Sequence, residues 1–171
     1  MIQSAEALQT LSSGWFLEHA WLIPVVPAIA FFIIILFGKK LPMKGSEIGL
    51  LSMLSSLVLA GGTAMQWIDR VGSGAEGQFI APVVRTWNWW QIGGMKFTIG
   101  QSIDGLAVIV LVVVAFISTL VQLYSTEYLK GDRRYTHFFA ALTLFSAGML
   151  AMVVAEDTIL FLLGWEIMGL C

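Results

Sequence analysis

Cysteine occurs once in the 171 residues, as Cys171 in an apolar run. No intrachain disulfide is possible, and no CxxC or Cys/His spacing is present to hold a metal. Charge is scarce too. Only 12% of residues are charged, against about 25% in an ordinary soluble domain, which excludes that class. The nine basic residues are outnumbered by eleven acidic ones, and the net charge of −2 argues against a nucleic-acid partner. Met1–His19 has no basic stretch and carries Glu6 and Glu18, so it is not a signal peptide, and the first span is expected to remain as an anchor.

Apolar sequence is what the chain has. Hydrophobic residues make up 58%, the mean hydropathy is +0.85, and the apolar residues come in long blocks, as membrane spans require. The expected fold is an all-α integral membrane protein in one membrane region over residues 1–171. It has four complete spans at about 21–37, 48–68, 105–128 and 138–155, and a truncated fifth at 158–171.

Trp15, Phe16 and Trp21 form an aromatic cluster of the kind that settles at a membrane interface. Pro24 and Pro27 fall in the opening turns of the first span, where missing N–H groups cost least. In the second span Ser52, Ser56, Ala60 and Ala64 recur every four residues and make a narrow face for close helix packing. Residues 71–80 are glycine-rich and polar and read as a loop. Residues 84–100 predict an outer-face β-hairpin turning at Gly93-Gly94, with Ile92 opposite Met95, Trp90 opposite Phe97 and Asn88 opposite Ile99. That register gives one face Trp90, Ile92, Met95, Phe97 and Ile99, and the hairpin reads as a lid or a contact with a neighbouring subunit.

Ser102 and Asp104 are suited to cap the third span. Ser118, Thr119 and Gln122 give that span a mildly polar face for helix–helix hydrogen bonding. Ala140, Ala147, Gly148, Ala151 and Ala155 keep one side of the fourth span narrow. His137, at its inner mouth, is read as a headgroup-level histidine rather than a proton entry. Asp157 is placed to cap the fifth helix. Lys39, Lys40, Lys44, Lys130, Arg133 and Arg134, six of the nine basic residues, fall in two loops that the positive-inside rule places in the cytoplasm, with the N-terminus outside.

The fifth segment, TILFLLGWEIMGLC, contains one ionisable residue, Glu166. At ~1.5 Å of rise per residue it lies about 13 Å past Asp157, near the middle of a ~30 Å hydrocarbon layer. A charged carboxyl there costs about 2.5–3.5 kcal/mol on insertion scales, and intramembrane acids mark ion or proton pathways. Glu166 is therefore the candidate catalytic residue, as a proton-transfer group. The segment would extend about 21 Å as a helix and lacks basic stop residues, so the chain is expected to be the start of a longer protein.

Three stretches carry a resemblance: IDGLAVIV at Ile103–Val110, YSTEYL at Tyr124–Leu129, and above all Tyr135–Cys171, with Glu156-Asp157, Gly164-Trp165-Glu166 and Gly169-Leu170-Cys171. With them the chain resembles the N-terminal part of the L subunit of proton-pumping NADH–quinone oxidoreductase, respiratory complex I. The resemblance implies an antiporter-like subunit with two inverted five-helix repeats and a long lateral helix. It implies a proton-translocating role through a buried glutamate matching Glu166, paired with a lysine on a later helix. Its expected partners are the other membrane subunits and the lipid bilayer, with quinone and NADH reached only through other subunits. It implies no cofactor and no redox active site in this chain, and a multi-pass position in a bacterial plasma membrane. Two rivals stand beside this reading: the large subunit of an Mrp-type cation/proton antiporter, and a passive membrane anchor.

Overall fold

The computed structural model describes residues 14–73 and 80–171. A short helix α1 (Trp15–Glu18) leads into α2 (Leu22–Phe37), a 3-10 turn at Gly38–Lys40 and α3 (Ser46–Ser73). The strands β1 (Val83–Ile92) and β2 (Met95–Ile103) follow, then α4 (Gly105–Tyr128), α5 (Tyr135–Val154) and α6 (Thr158–Leu170). The protein is an all-α membrane fold with one small antiparallel sheet: α2 with its 3-10 turn, α3, α4 and α5 are long and apolar enough to cross a membrane. At 13 residues α6 is shorter.

Helices α2, α3, α4 and α5 close a ring, each packed on two others, and α6 lies outside it against α5. The small-residue face of α3 makes the ring tight: Ser52, Ser56 and Ala60 are buried. The prolines of α2 are accommodated by named donors. Pro24 cannot bond the carbonyl of Ala20, which instead accepts from Ile23 N at 3.0 Å. Pro27 cannot bond the carbonyl of Ile23, four residues back. The Ser56 hydroxyl on α3 donates to that oxygen at 2.9 Å.

The interior is graded along the helix axes. Toward the hairpin end it is apolar, built from Leu17, Ile23, Ile103, Leu111, Leu150 and Val154. Toward the other end it is polar: Gln122 and Thr143 are fully buried, with the Gln122 amide donating to Thr143 Oγ1 at 3.2 Å. The expected hydrogen-bonding face of α4 is thus turned into the ring. Gly49 on α3 leaves room for it, since a Cβ there would stand 3.0 Å from Gln122 Oε1 and 3.1 Å from Thr143 Oγ1.

Several boundaries differ from the sequence reading. Helix α3 runs on to Ser73, so residues 71–73 of the expected loop are helical, and 74–79 lie outside the described residues. The extension is anchored: Gln66 Oε1 accepts from Leu17 N at 3.1 Å, and the Ser73 hydroxyl donates to Arg70 O at 3.0 Å. Helix α5 begins at Tyr135 rather than near 138. The hairpin pairs Ile92 with Met95 and Trp90 with Phe97, but a bulge at Trp89 then sets Asn88 against Thr98 and Trp87 against Ile99. The expected Asn88–Ile99 pair is therefore wrong by one residue, the extra residue a bulge inserts. The expected apolar face rests on Ile92, Met95 and Phe97, whose side chains lie outside the described ones. At the tip Gly93 takes φ 56°, a left-handed conformation suited to glycine. Ser102 lies in β2 and caps nothing, whereas Asp104 Oδ1 accepts from Ala107 N at 2.7 Å as expected.

The hairpin base is fastened at two points. Gln101, 1% exposed, donates its amide to the carbonyls of Leu17 and Glu18 at 2.9 and 3.2 Å and accepts from Trp21 N at 2.7 Å. Gly100 O accepts from Glu156 N at 3.2 Å, and Gln101 bridges Ala155. The first contact fixes the turn into α2, and the second fixes the turn from α5 into α6.

Candidate functional site

The candidate residue from sequence, Glu166, sits in α6, and the turn before α6 sets where the helix starts. Asp157 takes an extended backbone, and its Oδ1 accepts from Leu160 N at 2.7 Å. This is the expected N-cap, satisfying one of the free N–H groups of the first turn. Its Oδ2 is buried without a hydrogen-bond partner in the described structure.

Two glycines then set the helix against α5. A Cβ on Gly164 would stand 2.9 Å from Gly148 O and 3.0 Å from Met152 N, and a Cβ on Gly148 would meet Gly164 O at 2.9 Å. The backbones touch where both lack side chains, the close approach that small residues permit between membrane helices. Gly164 is the only buried residue of α6.

This contact aims Glu166. Two residues on, at about 100° per residue, its side chain leaves the helix about 200° round from the contact. Glu166 is accordingly exposed on the surface of this chain, and these residues do not themselves supply the burial that the resemblance implies. Around it the open side of α6 is apolar: Leu162, Leu163 and Trp165 are 53–56% exposed. Among the described residues Glu166 has no hydrogen bond or ion pair, and the only salt bridge joins Lys130 to Glu127. A cavity of about 480 Å³ between α2, α5 and α6 under the hairpin is lined by Ile167 but not by Glu166.

His137, the other titratable side chain weighed from sequence, is exposed at the first turn of α5. No group of three or more His, Cys, Asp or Glu side chains gathers to hold a metal among the described residues. The structural role of Gln101 escaped the sequence reading, because a lone glutamine in a strand carries no local signal. Of the Gly148–Gly164 contact only the α5 half was visible, as the narrow side of the fourth span.

The family described as NADH-Ubiquinone oxidoreductase (complex I), chain 5 N-terminus, matches residues 89–139, which hold the turn of the hairpin, all of α4 and the first turn of α5. The L subunit of the F(420)H(2) dehydrogenase of Methanosarcina mazei is 31% identical over 90% of this chain and 21% of its own length. The NADH-quinone oxidoreductase subunit L of Buchnera aphidicola is 29% identical over 91% of this chain and 24% of its own. This chain resembles the N-terminal part of these L subunits. The L subunit of Escherichia coli matches a shorter stretch, 36% identical over half of the chain. In fold, the chain matches one from the membrane-bound sulfane sulfur reductase, an archaeal respiratory membrane complex. The TM-score is 0.72, with 16% identity, over 90% of this chain and 29% of that one. The chain thus spans about a fifth to a quarter of the curated L subunits. Its four helices long and apolar enough to cross a membrane make it a multi-pass membrane protein. Glu166 lies beyond the stretch that the family match covers.

Proposed function

We propose that this chain forms the N-terminal helices of a proton-translocating membrane subunit of an NADH–quinone oxidoreductase, and that Glu166 is the group through which protons pass. The observation that carries the reading is the placement of Glu166: a carboxyl midway along an apolar helix, aimed away from the four-helix ring by a glycine contact. An acid in that position needs cover and a partner, and this chain supplies neither. Both would come from helices of the longer subunit packed on the open face of α6.

Covering the face takes Glu166 out of contact with lipid and makes it the buried glutamate that the resemblance implies. Burial favours the neutral form of a carboxyl, and a nearby ammonium favours the anion. Moving a cationic side chain toward or away from Glu166 would make it release or take up a proton. Electron transfer from NADH to quinone, in other subunits, would drive that motion, and this chain itself would hold no cofactor. The likeness to an F(420)H(2) dehydrogenase subunit supports a membrane part that serves more than one electron donor. The basic loops orient the chain with residues 38–45 and 129–134 in the cytoplasm of a bacterium and the N-terminus outside.

The test uses the complete complex in proteoliposomes, measuring proton uptake and NADH:quinone turnover together. Glu166→Gln, which keeps shape and removes the titrating proton, is expected to lower proton transfer per electron, while Glu166→Asp retains part of it. Unchanged proton transfer with Glu166→Gln would remove Glu166 from the pathway and leave this helix as an anchor.

A further inference from the structure

At the end of the bundle away from the hairpin, two loops meet, residues 38–45 before α3 and 129–134 before α5. Between them lies an open cavity of about 300 Å³ whose lining includes Pro42, Met43, Lys44, Glu127, Lys130 and Tyr135, two lysines against one carboxylate. Six basic residues (Lys39, Lys40, Lys44, Lys130, Arg133, Arg134) stand at this end against three acidic ones, Glu47, Glu127 and Asp132. Among the described residues at the hairpin end the balance is reversed, three basic residues (Arg70, Arg85, Lys96) against five acidic (Glu18, Asp69, Asp104, Glu156, Asp157).

The cavity itself carries excess positive charge. The Lys130 ammonium donates to both oxygens of Glu127, at 3.2 and 3.3 Å. The Lys44 side chain has no hydrogen bond or ion pair among the described residues, its backbone N–H donating to Leu41 O at 3.1 Å. Lys44 also takes φ 56°, the only non-glycine described residue in the left-handed region, a conformation disfavoured for an L residue because its Cβ crowds the following carbonyl oxygen. The polypeptide therefore holds an unpaired lysine in an unfavourable backbone at the rim of a cavity. The floor is tied down, with Tyr135 only 9% exposed and its hydroxyl donating to Thr126 O at 3.4 Å. Beside the cavity on α4, Tyr124 and Tyr128 stack at 5.4 Å and are 66% and 72% exposed. Exposed tyrosines at the end of a span lie at headgroup level, and one turn deeper than Glu127, Leu123 is 53% exposed to the acyl region.

We propose that this cavity is a binding site for the phosphate of an anionic membrane phospholipid. Lys44 and Lys130 take the phosphate, Pro42 and Met43 flank the glycerol, and the acyl chains follow the exposed face of α4. Basic pockets between membrane helices on the cytoplasmic side are sites of this kind. A lipid, rather than a free anion, is the ligand because the cavity joins cationic groups to exposed apolar surface at the depth where a phospholipid presents both its halves. The inference is independent of Glu166 and of any transport.

The 171-residue chain is placed in phosphatidylcholine bilayers doped with phosphatidylglycerol, extracted in mild detergent, and the retained lipids are counted by native mass spectrometry. One phosphatidylglycerol is expected to be retained in preference to phosphatidylcholine. Lys44→Asn with Lys130→Gln removes two charges worth about 1 kcal/mol each near a membrane surface, about a 30-fold loss of affinity. Asparagine is chosen because it tolerates the left-handed backbone. Lys39→Gln with Lys40→Gln removes the same charge outside the cavity and is expected to leave retention near the parent value. Lys44→Arg with Lys130→Arg keeps the charge and should keep the lipid, which separates lost charge from lost fold. Equal loss in the cavity and control pairs, or no preference over phosphatidylcholine, would overturn the proposal. So would inorganic phosphate displacing the lipid and holding the site as tightly.

Discussion

The hydroxyl of Ser56 performs a task that proline creates. In α2, Pro27 has no N–H to give the carbonyl of Ile23, and Ser56 Oγ supplies the bond from α3 at 2.9 Å. Both Ser56 and Ile23 are fully buried, so no lipid headgroup or bulk water can replace the donor. An unpaired buried acceptor costs about 1–3 kcal/mol. Hydrogen bonds between membrane helices average about 0.6 kcal/mol and reach about 1.7 kcal/mol, because backbone and side chains usually find other partners. Here proline has removed the nearest other partner. Ser56→Ala is therefore expected to destabilise by about 1.5 kcal/mol, near the top of that range. Pro27→Ala restores an N–H four residues from Ile23, so in that background Ser56→Ala should cost about 0.5 kcal/mol or less. The four proteins of this cycle can be compared by unfolding in mixed micelles of rising dodecyl sulfate content, following helical circular dichroism. The cycle cancels the small volume lost at Pro27 and isolates the coupling, about 1 kcal/mol. Equal losses from Ser56→Ala in both backgrounds would show that the contact is geometric only.

Gly164→Ala places a methyl 2.9 Å from Gly148 O and 3.0 Å from Met152 N, neither of which is a flexible side-chain end. It should cost about 1–3 kcal/mol and widen the α5–α6 distance measured between spin labels, whereas Gly169→Ala, with nothing within 4 Å of its Cβ, should change neither. Orientation is read from single cysteines in a Cys171→Ser background. One in the 129–134 loop should react with an impermeant thiol reagent only after the cells are opened, and labelling in intact cells would reverse the assigned topology.

Local chemistry was the readable part of the sequence. Asp104 and Asp157 each reach an N–H three residues on, so the starts of α4 and α6 could be placed from a few letters. The stripe Ser52, Ser56, Ala60 declared a packing face, and Gln122 with Ser118 and Thr119 declared the polar side of α4. What sequence left hidden depends on partners far along the chain. The run WNWW alternates too loosely to show that Trp89 is an extra residue, and nothing local tells that Gln66 on α3 accepts from Leu17 N, 49 positions away. The depth of Glu166 followed from counting residues along its helix. Its direction depends on which residue of α6 meets α5, and only the Gly148–Gly164 contact settles that.

The direction of Glu166 and the polarity of the ring bear on each other. The polar groups buried inside the ring, Gln122, Thr143, Thr119 and Ser125, hydrogen-bond to one another or to backbone carbonyls of their own helices, at 2.7–3.2 Å. One of these bonds joins α4 to α5 and the others stay within their own helices, while Gln122 Oε1 is buried without a partner. Glu166 is on the far side of α5 from them, on a helix whose single buried residue is a glycine. A proton leaving Glu166 through the ring would have to pass the closed Gly148–Gly164 contact and the apolar core behind it. Passage along the open face of α6 meets no such barrier from this chain. The ring therefore acts as the support against which α6 is set, and under the proposed function proton movement at Glu166 would belong to the surface that α6 turns away from it.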